Sequence, residues 1–343
     1  MLSFIFAAVL ACVIVIVATP ETIRILREKG KTGTDVHKPD RPEVPKGGGI
    51  IVLFAIVTAL LCVIGFTTLL GGEEVNQNLL AGLVSILMAG MIGALDDFLD
   101  FRNRTKIILP LVASIPIVAL QVGTTTMEIP FIGTINLGIV YPLVVVPLMM
   151  TFIIDSTNMY AGMNGLEAGL AFVNSSAVVV YLSLASAVDQ ISMSQSHLDA
   201  GLVASAVMGA TLAFLFFNRY PARVLTGDVG LLAIGAAMAS ALIMANMDRV
   251  AIFLYSTYGI NFVLYVLYRI QVKRTGMEYV KFASPREDGS LKVVGPYTAY
   301  WLLPYLYKKT TERTNVIVLV LLQALIAYGA VILFIFGVPL GLT

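Results

Sequence analysis

Leu79–Lys106 reads LLAGLVSILMAGMIGALDDFLDFRNRTK. The apolar run from Leu79 to Leu95 is long enough, as a helix, to cross most of a hydrocarbon core of roughly 30 Å. It then meets adjacent carboxylates at Asp96 and Asp97, a third at Asp100, and the bases Arg102, Arg104 and Lys106. An ionised aspartate at a bilayer centre costs roughly 2.5–3.5 kcal/mol even on the lenient insertion scale. The pair therefore belongs at a helix end, facing water or protein. Adjacent carboxylates repel unless a cation or proton is close, and a basic cluster follows within two turns. The stretch reads either as a site for a metal and a phosphate or as the solvated loop that begins where a membrane helix ends.

The rest of the chain settles the class. With 58% hydrophobic and 13% charged residues among 343, and a mean hydropathy of +0.89, it is too apolar for a soluble domain and reads as an all-α polytopic membrane protein. A net charge of +1 gives no reason to expect nucleic acid. Cys12 and Cys62 both fall in apolar runs, which argues against a disulfide framework. The N-terminal run has no basic residue before it and four after it, from Arg24 to Lys31, so it is expected to be a retained span rather than a cleaved signal.

Apolar runs of spanning length number about ten. They cover 2–19, 48–70, 79–95, 106–122, 137–154, 163–187, 200–217, 227–247, 250–268 and 315–338. Of the 22 Lys and Arg residues, all but Arg249 fall in odd-numbered loops. By the positive-inside rule these loops are cytoplasmic and both termini lie outside. The outer loops, around Glu73 and Glu74, Glu128, and Asp189 to Asp199, are short and mildly acidic. No repeat or low-complexity segment divides the chain, so one domain is expected, with a long cytoplasmic loop over 269–314. In that loop PYTAYWLLPYLYKK (296–309) has the composition of a segment lying in the headgroup layer, with contact to a lipid substrate as the alternative.

The unusual polar residues gather on the same inner side. HKPDRPEVPKGGG (37–49) brings Lys46 and three glycines to the mouth of the second run, a composition that lets backbone N–H groups approach a phosphate but that also makes an ordinary turn. DSTNMYAGMNGLEAG (155–169) carries Asp155, Asn158, Asn164 and Glu167, which cannot face lipid unpaired. Their oxygens are hard ligands suited to Mg²⁺, and an asparagine amide can read a nucleobase edge. NRYPARVLTGDVG (218–230) adds Arg219, Arg223 and Asp228, the last at the start of the eighth run, where an aspartate can also simply cap a helix. The chemistry shared by these groups is Mg²⁺ plus phosphates. With only His37 and His197 in the chain, and His197 on the outer side, zinc hydrolase and serine-enzyme arrangements are excluded. A transporter would carry polar residues along both halves of its path, whereas the fourth and fifth runs are nearly featureless. A CDP-alcohol phosphatidyltransferase would want a denser aspartate pattern on one helix than DDFLD provides.

DDFLDFRNRTK, DSTNMYAGMNGLEAG and NRYPARVLTGD, in that order, resemble the signatures of the polyprenyl-phosphate N-acetylhexosamine-1-phosphate transferases. The ten-run layout agrees, so the resemblance covers nearly the whole chain. NGLEAG is similar to the eukaryotic and archaeal branch that moves N-acetylglucosamine 1-phosphate from UDP-GlcNAc to dolichyl phosphate. The resemblance implies a cytoplasmic-face enzyme with Mg²⁺ as cofactor and Mn²⁺ as a substitute. It implies a UDP-sugar donor, a polyprenyl or dolichyl phosphate acceptor and surrounding membrane lipids as partners. Another UDP-N-acetylhexosamine and a homodimer stay open. The location implied is the plasma membrane of a prokaryote of archaeal type, or the endoplasmic reticulum membrane of a eukaryote.

By position, the resemblance makes Asp228 the metal aspartate and Asn158 an asparagine at the metal and diphosphate. Asp96 and Asp97 match the paired catalytic carboxylates, Lys106 the lysine holding the lipid phosphate, and Asn164 the asparagine that contacts uracil. Lys46, Glu167, Arg223, Arg269 and Arg274 complete the expected substrate-binding set. Two features depart from the family. Leu225 stands where the dolichol branch has an aromatic residue on uracil, and the last inner loop offers only Arg269, Lys273 and Arg274 in YRIQVKR in place of a histidine-rich element. The sequons at Asn103 and Asn174 fall in the cytoplasm and in a span on this topology, which argues against their use.

Overall fold

The computed structural model describes residues 2–72, 74–129, 133–188 and 193–336. Glu73, Asp189, the last run's end at Val338, and the side chains of Asn103 and Arg104 lie outside the described residues. The helices in chain order are α1 (Leu2–Glu28), α2 (Gly49–Leu69), α3 (Gln77–Leu99), α4 (Asn103–Ala113), α5 (Ile115–Ala119), α6 (Val146–Met159), α7 (Leu166–Ala187), α8 (Gln195–Asn218), α9 (Gly227–Met244), α10 (Asp248–Leu254), α11 (Ser256–Thr275), α12 (Ala299–Leu306) and α13 (Glu312–Ile335). Among the described residues three two-stranded antiparallel hairpins sit in loops: β1 (Thr32–Thr34) with β2 (Glu43–Pro45), β3 (Thr126–Ile129) with β4 (Gly133–Asn136), and β5 (Ser284–Pro285) with β6 (Leu291–Lys292).

Among the described residues eight helices are long and apolar enough to cross a membrane, α6 being counted with the π-helical turn Tyr141–Val145 that leads into it, so the protein is a multi-pass integral membrane protein. The remaining two runs form helices of another kind. The fourth becomes α4 and α5, where Pro110 and Pro116 interrupt a short apolar stretch over Thr105–Ala119. The ninth is bent by 57° between α10 and α11. A break frees backbone carbonyls in a place that lacks water, and they must find donors within the protein. The buried Gln323 amide donates to the Leu254 carbonyl at 2.8 Å and to Asn174 Oδ1 at 2.6 Å, while its own oxygen accepts from Thr257. Helices also outrun the apolar runs: α1 continues through Pro20 to Glu28.

α9 is the centre of the bundle. It packs against α2, α3, α6 and α8, and each of its residues except Asp228 is buried. Its sequence, GDVGLLAIGAAMASALIM, has small residues on every side, which is what a helix enclosed by neighbours requires where packing rather than hydrophobic transfer holds helices together. Two close approaches fix its N-terminal turn. A Cβ on Gly49 of α2 would lie 2.5 Å from the Cα of Gly230, and one on Gly93 of α3 would lie 2.4 Å from the Asp228 carbonyl oxygen.

The loops after α1, α3, α6, α8 and α11 converge at one end of the bundle, where β1–β2 meets the start of α9 through a parallel bridge between Lys46 and Leu225. The other end is tied separately. Asn76 donates to Asp199 at 2.7 Å, Asp248 accepts from the Tyr141 hydroxyl at 2.9 Å, and Arg249 pairs with Glu128 at 3.3 Å.

Gly93→Ala is expected to force α3 away from α9 and lower stability by roughly 1–3 kcal/mol or more, as overpacking does. Gly65→Ala, with nothing within 4 Å of its new methyl, is the control and should leave the thermal midpoint in detergent unchanged or slightly raised. Equal midpoints for the two variants would contradict the close approach.

Candidate functional site

A cavity of about 700 Å³ opens at the converging loops, a size suited to a nucleotide-sized ligand. One wall is charged. Asp96 and Asp97 occupy the last turn of α3, where the helix dipole disfavours carboxylates, so cations or donors are needed nearby. Lys106 of α4 provides the first cation, with Nζ at 2.9 Å from Asp96, 3.6 Å from Asp100 and 3.8 Å from Asp228. Lys46 provides the second, with Nζ at 3.1 Å from Asp97 Oδ1. Burial works against the Lys46 charge, but Asp97 and Asp228 more than offset it and hold the ammonium above its ordinary pKa. Asp97 Oδ2 accepts the Val229 N–H at 3.1 Å, so a carboxylate from α3 caps the positive end of α9 beside Asp228.

The expected site residues divide into two groups. Asp96, Asp97, Lys106, Lys46, Asn158, Asn164, Glu167 and Asp228 all line this one cavity. Asp155 joins them, one turn from Asn158 on α6. Glu167 accepts the Thr226 hydroxyl at 2.8 Å, which fastens the start of α7 to the turn before Asp228. Arg223, Arg269 and Arg274 are exposed and are not part of the cavity wall. Arg223 lies over Phe217 and donates to the Phe216 carbonyl, and Arg269 lies over Tyr279. Among the described residues, the base that the last inner loop contributes to the wall is Lys281.

The facing wall is aromatic: Tyr265 and Tyr268 of α11, Tyr279 and Phe282 of the following loop, and Tyr300 and Trp301 of α12. In α12, Ala299, Trp301 and Pro304 are buried while Tyr305, Leu306 and the following Tyr307 are exposed. The same segment thus has an outward face suited to headgroups and an inward one on the cavity. Leu225 also lines the cavity.

A second cluster went unread in the sequence. Asp35, His37 and Glu312 bring one ligand atom each within 4.8 Å of one another, a metal-like grouping of buried residues. Lys38 already supplies its cation, touching Asp35 and lying 3.5 Å from Glu312. The donor set at Asp97, Asp228 and Asn158 is the better fit to a divalent ion. It consists of oxygens, which hard cations prefer, and all three residues line the one cavity.

Comparison with known proteins adds a lineage. Residues 79–246 match glycosyl transferase family 4. A Saccharolobus solfataricus protein provisionally named UDP-N-acetylglucosamine–dolichyl-phosphate N-acetylglucosaminephosphotransferase is 31% identical over 273 residues, 79% of either chain. A Dictyostelium discoideum protein of that name is 29% identical over 275 residues, 71% of this chain and 66% of its own. A phospho-N-acetylmuramoyl-pentapeptide-transferase of Clostridioides difficile is 31% identical over 264 residues, 70% of this chain and 74% of its own.

His37 yields a test of the second cluster. Burial above all, with Lys38 adding and Asp35 opposing, pushes its pKa from 6.5 down to about 4. Between those values the unfolded chain binds a proton that the folded one refuses, so stability falls as pH drops through the window, by at most about 3 kcal/mol. The thermal midpoint of the wild type should decline from pH 7 to pH 4.5 more steeply than that of His37→Gln. Parallel declines would show that His37 is not held neutral.

Proposed function

The chain belongs to glycosyl transferase family 4, and from that premise we propose that it moves N-acetylglucosamine 1-phosphate from UDP-GlcNAc to a polyprenyl phosphate of dolichyl type, releasing UMP. It is a membrane glycosyl-1-phosphate transferase, and the finer reading rests on one observation. Asp96, Asp97 and Asp228, the bases Lys46 and Lys106, and the amides Asn158 and Asn164 line a single cavity although they come from four separate stretches of chain. Two relatives whose names carry this substrate pair support it. The distribution of Lys and Arg supports a cytoplasmic position for the cavity, within one transferase domain.

Asp228, Asp97 and Asn158 would hold the divalent cation, Mg²⁺ with Mn²⁺ as a substitute. When bound, the ion supplies charge neutralisation at the donor's diphosphate. The residues of the chain do the remainder. Lys106 and Lys46 flank the carboxylates and neutralise incoming phosphate charge. An oxygen of the lipid phosphate attacks the sugar-linked phosphorus in line; a new P–O bond forms as the bond to the UMP oxygen breaks, and UMP leaves with the electron pair. A phosphomonoester loses its second proton near pH 6, so the nucleophile is largely dianionic at neutral pH and requires no strong base. Asp97 then orients rather than deprotonates. The rival route makes an aspartate the nucleophile, with a phosphoryl-enzyme and ping-pong kinetics. Asp96 is poorly suited to that role, because it is buried, paired with Lys106, and accepts the Phe101 N–H.

Purified protein is expected to release UMP from UDP-GlcNAc only when both a divalent cation and a polyprenyl phosphate are present. Asp228→Ala and Asn158→Ala should each lower turnover on the order of 100-fold or more while leaving the thermal midpoint near wild type. Wild-type turnover in Asp228→Ala would remove the site from the reaction. Lys106→Ala should chiefly raise the KM for the lipid phosphate; a defect confined to the KM of the nucleotide sugar would reverse the assignment. Exchange of labelled UMP into UDP-GlcNAc without lipid phosphate would replace direct attack by the covalent route.

A further inference from the structure

Asn164 is held so that one end of its amide is left to the cavity. Its side-chain oxygen accepts from the Lys38 ammonium at 2.6 Å and from the Ala222 N–H at 2.8 Å. An ammonium and a peptide N–H can only donate, so a turned amide would set its hydrogens against two donors. The backbone N–H of Asn164 is fixed as well, donating to Glu312 Oε1 at 2.7 Å. Lys38 is itself enclosed: it pairs with Asp35, lies 3.5 Å from Glu312 Oε2 and stands 4.8 Å from the Tyr220 ring centroid. Asp35, Lys38, Asn164 and Glu312 are all buried, so none of these contacts is diluted by water. Asn164 belongs to the cavity wall, and among the described residues its amide nitrogen has no acceptor.

We propose that Lys38, clamped between Asp35 and Glu312, is a positioning residue that fixes Asn164 as a donor-only reader and thereby selects a pyrimidine with a carbonyl edge, uridine, over one with an amino edge, cytidine. This rests on the uridine-nucleotide reading given above. A cytosine amino group brought to the Asn164 amide would place donor against donor in a desolvated site. Sites built on buried hydrogen bonds reject such mismatches far more strongly than apolar pockets reject a change of size. Lys38 need not touch the base: without it, only the Ala222 N–H holds the amide oxygen, and the preference for one orientation of the amide weakens.

The experiment measures the dissociation constants of UDP and CDP for the full-length protein in detergent by calorimetry, together with kcat and KM for UDP-GlcNAc. The wild type should prefer UDP by about 100-fold or more. Lys38→Met should reduce that ratio by about tenfold or more and raise KM more than it lowers kcat. It also leaves Asp35 and Glu312 without their cation and can fail to fold, so Asn164→Asp supplies the second arm. That side chain keeps an oxygen toward Lys38 and Ala222 and places a second oxygen where the amide nitrogen was, so the preference for UDP should collapse or turn toward CDP. An unchanged UDP:CDP ratio in folded Lys38→Met, or in Asn164→Asp, overturns the proposal. A wild type that binds both nucleotides equally also overturns it while leaving the transferase reading intact. A wild type that binds neither nucleotide ends both.

Discussion

The structure depends on how closely α3 and α2 can approach α9. A helix enclosed on all sides by other helices gains no hydrophobic transfer energy against lipid, so backbone proximity and tight packing must hold it. Gly93 and the Gly49–Gly230 pair permit that proximity, and they do so at the turn that carries Asp228. Asp228 is also the one residue of α9 that is not buried, and it lines the cavity. The contact that stabilises the bundle and the contact that brings Asp96 and Asp97 to Asp228 are therefore the same.

That economy has an electrostatic cost. Two carboxylates at the negative end of α3 and a third on α9 repel one another in a partly desolvated place. Lys106 and Lys46 each answer one of them, and the Val229 N–H at the positive end of α9 answers Asp97 again. The balance remains on the acidic side, with lysines at its edge. Such a field suits a divalent ion at its centre and a phosphate at its rim, and it disfavours a phosphate that arrives without the ion.

Much of this could be read from the chain and some could not. Apolar runs locate membrane helices because each must satisfy its own backbone, and among the described residues eight of the ten expected runs correspond to helices of spanning length. Hydropathy does not sense a bend, so the break between α10 and α11 and the shortness of α4 with α5 emerge only from the prolines and from Gln323, far away in sequence. Asp96, Asp97, Asn158 and Asp228 were legible because charges and amides beside apolar runs require an explanation. The clustering of Asp35, His37 and Lys38 was not, because they lie in a loop where polar residues are unremarkable, and their partner Glu312 stands far away at the start of α13. Arg223 shows the converse error of sequence reading: a base near a motif need not face the cavity, and here its guanidinium is taken by Phe217 and the Phe216 carbonyl.

The two walls of the cavity differ in origin as well as chemistry. The stretch shared with the family, residues 79–246, contains the carboxylates, Lys106, Asn158 and Asn164. The aromatic wall from Tyr265 to Trp301, and the Asp35, Lys38 and Glu312 cluster that holds Asn164, lie on either side of it in sequence. Phosphoryl transfer from a diphosphate makes the same demands on charge whatever sugar or isoprenoid is attached, so its residues belong on helices fixed by close packing. The aromatic wall is carried by loops and by the bent pair of helices, where a changed side chain need not disturb α9. An aromatic face can pack against the apolar side of a sugar ring or against an isoprenoid without demanding a charge. On the proposed function, this division would let the specificity of the site change while its electrostatics stay fixed.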